Sequence, residues 1–102
     1  MIRHIVLTRF ATETSEQTIA DIYSGLARVA ETLPGARNFV GGRSESPEQI
    51  ERGYMHGFTI DFDGWDAVQA YADNEEHKAL GGQIVANAQG GLDGVLVLDI
   101  ET

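Results

Sequence analysis

Between residues 54 and 62 the chain alternates strictly. Tyr54, His56, Phe58, Ile60 and Phe62 fall on one side, and Met55, Gly57, Thr59 and Asp61 on the other. Successive side chains of a strand point to opposite faces, so this stretch is a strand with one face pressed on a core. On a helix the same residues would scatter around the circumference. The remaining chain must therefore supply partner strands and a layer that covers the apolar face.

Both are legible. Residues 2–10 are rich in β-branched and apolar side chains, without Gly or Pro, and form a first strand. Thr14-Ser15-Glu16-Gln17 provides an N-cap with a glutamine at or near the third helical position. Ile19, Ile22, Tyr23, Leu26, Val29, Ala30 and Leu33 follow at helical spacing until Pro34-Gly35 ends the helix. Residues 37–43 make a strand around Phe39-Val40, diluted by Gly41-Gly42. Ser46-Pro47-Glu48-Gln49 combines a capping serine with an N1 proline and predicts a helical turn over residues 47–51. Asp63 then caps a second helical region, with Trp65, Val68 and Ala72 as its stripe and a break at Asn74-Glu75. His77, Leu80, Gly81, Ile84, Val85 and Ala88 resume at helical spacing. Gly90-Gly91 stops that segment, Asp93-Gly94 turns, and residues 95–100 form the last strand.

The order β-α-β-β-α-β predicts an α+β fold, a ferredoxin-like sandwich of one domain over residues 1–102. Its antiparallel sheet has strand order 4-1-3-2 and both helical regions on one face. The other face would carry Arg3, Ile5, Leu7 and Arg9 from the first strand, and Met55, Thr59 and Asp61 from the third. That surface is too apolar to lie open to water. A second copy covering it predicts a homodimer, a dimeric α/β barrel closed by two sheets.

Composition narrows the function. The 102 residues carry 16 acidic against 7 basic side chains, a net charge of −9, which disfavours phosphate-driven binding to nucleic acid or to an anionic membrane. No run approaches the ~20 apolar residues of a membrane span. The absence of cysteine removes disulfides, thiolate metal sites and a cysteine nucleophile, and the expected compartment is the cytoplasm by default.

The chain has three histidines, and all fall at patterned positions. His4 alternates with Ile2, Val6 and Phe10, His56 with Tyr54, Phe58 and Ile60, and His77 shares a helical stripe with Leu80 and Ile84. All three should point into the space between sheet and helices, with Tyr71 close by. Strands one and three are antiparallel neighbours, so His4 and His56 fall towards opposite ends of the sheet. A second helix running back from the end of strand three would return His77 to the His56 end, which makes His56 and His77 the expected pair. The adjoining pocket is expected to draw on Tyr23, Leu26, Phe58, Ile60 and Ile84. Two converging histidines without a nearby carboxylate make a poor metal site, and Asp61 lies on the opposite face, so neither metal nor cofactor is expected. The glycine pairs match no phosphate loop, and no Gly-x-Ser-x-Gly elbow is present.

The ordered set Arg3-His4-Ile5-Val6-Leu7, Gly53-Tyr54-Met55-His56, Tyr71 with His77, and Val95-Leu96-Val97-Leu98-Asp99 resembles the stress-responsive α/β-barrel (Dabb) family across nearly the whole chain. The resemblance implies a dimeric ferredoxin-like barrel. Through plant polyketide cyclases of the olivetolic acid cyclase type, it also implies His77 as general base with Tyr71 as its partner, alongside His4 and His56. Many plant members read His-Pro-x-His where this chain has Asn74-Glu75-Glu76-His77, and the segment from His77 to the last strand looks longer here.

Two readings follow. The first is an enzyme of cyclase, isomerase or lyase type without cofactor. It would act on a small apolar carbonyl or phenolic compound, with His77 removing a proton α to a carbonyl, Tyr71 bonding the enolate and His56 orienting His77. The second is a non-catalytic dimeric module that binds a small ligand or serves structure, with Phe58, Trp65 and Ile84 filling the space beside His77. A cofactor-free monooxygenase, a third reading, rests on fold analogy alone.

Overall fold

The computed structural model describes all 102 residues, Met1 to Thr102. Strand β1 (Ile2–Thr8) leads into helix α1 (Glu16–Thr32), followed by β2 (Ala36–Arg43) and β3 (His56–Phe62). Helices α2 (Trp65–Asp73) and α3 (Glu75–Asn87), a 3₁₀ turn at Gly91–Gly94 and β4 (Val95–Glu101) complete the chain. The sheet order is β2-β3-β1-β4 with every neighbouring pair antiparallel, the ferredoxin-like arrangement read from the element order.

Ser15 caps α1, its Oγ accepting the Thr18 N–H at 3.1 Å. The helix then lays Ile19, Ile22, Leu26 and Val29 on Ile2, Val6, Phe58, Ile60 and Phe62 of the sheet, and all are buried. Full burial of such a side chain contributes about 1.5–3 kcal/mol, so this contact is the main source of cohesion. The opposite sheet face is left open. There Ile5 and Leu7 are half-buried, and Leu96, Leu98 and Ile100 are exposed.

Several local expectations are corrected. Residues 47–51 form no helical turn: Ser46 Oγ accepts the Glu48 N–H, but Gln49 enters the left-handed region at φ 57° and the chain leaves. With Ile50 exposed, a helix there would have no apolar face to bury, and capping alone does not sustain one turn. Asp63 does not cap α2. It pairs with Arg37, and Gly64 stands at the cap position without a side-chain bond. Trp65 is exposed. The buried residue of α2 is Tyr71, with Ala67 and Val68 packed beside the core. Nine residues give too short a stripe for periodicity to fix which side turns inward.

The break expected near Asn74 is present. Asn74 ends α2, its N–H donating to the Tyr71 carbonyl, and it also caps α3, its Oδ1 accepting the His77 N–H at 2.9 Å.

Candidate functional site

The Asn74 cap places Tyr71 in the last turn of one helix and His77 in the first turn of the next. Their rings meet with centroids 4.0 Å apart and planes tilted by 36°. His4 arrives from β1 on the helix-facing side, its ring 5.5 Å from Tyr71 and edge-on to it. Asp99 on β4 stands opposite His4 in the strand register and accepts from His4 Nδ1 at 2.7 Å. Two strands and two helices thus bring Asp99, His4, Tyr71 and His77 together.

Beside these groups lies a cavity of about 450 Å³. Leu26, Phe58, Val68, Ile84, Val95 and Val97 supply its apolar wall, and Val97 is half-exposed where the cavity opens over β4. Of the residues expected to line a pocket, Leu26, Phe58 and Ile84 do so. Ile60 is enclosed in the core, and Tyr23 lines a different groove at the other end of the sheet. Of the three residues expected to fill this space in a structural dimer, Phe58 and Ile84 line it and Trp65 takes no part.

The expected pairing of His56 with His77 is corrected: His4 takes the place assigned to His56. Tyr71 lies six residues into α2, a rise of about 9 Å. His4 lies two positions in from the Ile2–Phe62 pair, roughly 7 Å along the strand, whereas His56 is six positions and about 20 Å from Phe62. A single uninterrupted helix would have carried His77 most of the way to His56. The break at Asn74 instead keeps His77 near Tyr71. His56 sits opposite Thr8 and bonds the Glu16 carboxylate through Nε2 at 2.9 Å.

Burial pushes the His77 imidazole below its ordinary value. The carbonyls of Ala72 and Tyr71 pull the other way, and the nearby His4 adds to the lowering. Burial pushes the Tyr71 hydroxyl well up, so it stays protonated as a donor. Both Tyr71 Oη and His77 Nδ1 are buried without a hydrogen-bond partner. A neutral imidazole can accept a proton, and the phenol hydroxyl beside it can donate a hydrogen bond. No three His, Asp or Glu side chains converge to hold a metal ion.

Asp99 is the site residue that sequence reasoning missed. The signal was available: residue 99 shares its strand face with Val95 and Val97, and an acid at the end of an apolar helix-facing row needs a partner.

Fold and cleft together define a ferredoxin-like α+β domain with a histidine–tyrosine pocket between its layers. The chain belongs to the stress responsive A/B barrel domain family, whose profile matches residues 2–102. It is similar to the stress-response A/B barrel domain-containing protein HS1 of Arabidopsis thaliana, with 28% identity over 98 residues that cover 96% of this chain and 86% of that protein. Among solved structures it is similar to a dimeric ferredoxin-like protein of unknown function from Jannaschia sp. CCS1, at 33% identity and TM-score 0.92, covering 99% of this chain and 98% of that one. A hydroxynitrile lyase from Passiflora edulis shares the fold, with TM-score 0.82 at 17% identity, over 97% of this chain and 90% of the other.

Proposed function

We propose that the cleft removes a proton α to a carbonyl in a small, largely apolar compound, as the first step of a cyclisation, isomerisation or lyase reaction. The observation that carries this reading is the adjacency of two unpartnered buried groups, His77 Nδ1 and Tyr71 Oη, at an open apolar cavity. Leaving either group unpaired costs about 1–3 kcal/mol, and a substrate carbonyl would satisfy the Tyr71 hydroxyl while setting its α-carbon beside His77.

In this scheme the His77 imidazole takes the proton and the C–H electron pair moves into the carbonyl. Tyr71 donates a hydrogen bond to the oxygen as its charge grows. His4, held by Asp99, acts across the Tyr71 ring as the second proton-carrying group, in place of His56. The walls formed by Leu26, Phe58 and Ile84 exclude water and take the apolar body of the substrate.

A second copy covers the open sheet face in this proposal. Leu96, Leu98 and Ile100 are exposed there, and the similar Jannaschia protein is described as dimeric. The sheet-to-sheet contact would leave the cleft accessible, since the cleft lies on the helix side.

The test is deuterium uptake at the α-carbon of a panel of β-keto compounds, followed by NMR in D₂O. Uptake faster than buffer for one compound class, lost in His77→Ala with the fold retained, is the expected result. Equal uptake by wild type and His77→Ala across the panel would overturn the proposal and favour a non-catalytic module.

A further inference from the structure

His56 is the buried histidine that this chemistry leaves unused, and its surroundings form a separate constellation. Its Nε2 contacts both oxygens of the Glu16 carboxylate, at 2.9 and 3.1 Å, and Arg43 Nη1 donates to the same carboxylate at 3.0 Å. These three side chains border a groove of about 330 Å³ between α1 and β2, walled by Ile19, Ala20, Ala27 and Phe39. Tyr23 also lines the groove. It is 6% exposed, and its hydroxyl has no partner. A phenylalanine at 23 would keep the ring contacts with Phe10, Phe39 and Phe58 and spare the chain a buried, unpaired hydroxyl. The hydroxyl therefore needs an explanation outside packing.

We propose that this groove is a second binding site, which takes a small uncharged ring compound bearing a hydroxyl group, with that hydroxyl placed between Tyr23 and Glu16. The chemistry of the walls selects this class. Glu16 offers an acceptor, fixed by His56 and Arg43, and Tyr23 offers a donor. A hydroxyl both donates and accepts, so it satisfies the two at once. A carboxylate would face Glu16 in a chain of net charge −9, and an ammonium would face Arg43. The rings of Tyr23 and Phe39, edge-on at 6.3 Å, favour a flat aromatic body. Burial holds the Tyr23 hydroxyl protonated, assisted by the nearby Glu16 charge, so it remains a donor.

The experiment is an NMR titration of the whole protein with phenol, toluene and benzoate, reading Ile19 methyl and Tyr23 and His56 ring signals. His77 and Ile84 signals report the first cleft separately. Phenol is expected to shift the Ile19, Tyr23 and His56 signals, toluene to bind about tenfold more weakly, the worth of roughly one hydrogen bond, and benzoate to bind more weakly through its charge against Glu16. Tyr23→Phe should lower phenol affinity to the toluene level and still fold, since the lost hydroxyl bonds nothing. Ala27→Leu should block phenol and toluene alike by filling the wall, with every polar group intact. The same titration in His77→Ala is expected to be unchanged, so failure of the cleft chemistry and failure of this site are read independently. Phenol binding by Tyr23→Phe at wild-type strength, or shifts confined to His77 and Ile84, would overturn the assignment.

Discussion

Asn74 Oδ1 accepts the His77 backbone N–H, and that single cap determines where the His77 ring meets Tyr71. Asn74 also ends α2 through its own N–H on the Tyr71 carbonyl, so one residue fixes both sides of the contact. Asn74→Ala is expected to cost about 1 kcal/mol through loss of the cap. In a domain of this size that lowers Tm by about 4–8 °C. Asn74→Asp keeps the acceptor and should restore stability. Thermal unfolding of the three proteins checks this, and an alanine variant melting with the wild type would remove the cap from the account.

Tyr71→Phe separates stability from chemistry. The hydroxyl is buried and bonds nothing in the protein, so its removal should leave Tm unchanged or slightly raised. If it donates to a forming enolate, deuterium uptake at the α-carbon should slow by about 10²–10³, the usual loss for one such donor. A variant that keeps the full rate would leave Tyr71 as packing only.

The His77 imidazole gives the protein a pH signature. Its folded value lies below the ordinary 6.5, with burial as the leading cause. As pH falls below about 6.5 the unfolded chain takes up this proton first, and stability declines until the folded value is passed. Above that window the contribution is fully present. Tm measured from about pH 7.5 down to about 5.5 should therefore fall more steeply for wild type than for His77→Gln. Glu16, lowered chiefly by its bond from His56, and Asp61, lowered chiefly by its bond from Arg3, lose their contributions only below the ordinary carboxylate values, in a separate acid limb. Equal slopes for the two proteins between pH 7.5 and 5.5 would mean that His77 titrates as it does in the unfolded chain.

Leu98→Lys tests the open face. Leu98 pairs with Ile5 across β4 and β1 and is about half exposed in the single chain. Burying a charge opposite another copy is costly, so sedimentation should show a shift from dimer to monomer at micromolar concentration. The variant should keep its helical circular dichroism, because Leu98 does not touch the helix layer. A wild type that sediments as a monomer would remove the dimer proposal outright.

The sequence by itself determined the kinds of elements, their order and the faces of the strands. Alternation put His4 and His56 towards the helices, the Ser15 cap opened α1, and Asn74 marked the break in the second helical region. These are local properties, set by side-chain periods and by hydrogen bonds within a few residues. Only the tertiary structure decided which histidines meet. That question depends on how far α2 travels along the sheet before Asn74 redirects the chain, and on the β1–β4 register that sets Asp99 opposite His4. Periodicity fixes rotation about an axis but not position along it. A rise of about 9 Å to Tyr71, against a span of about 20 Å from Phe62 to His56, kept His77 apart from His56.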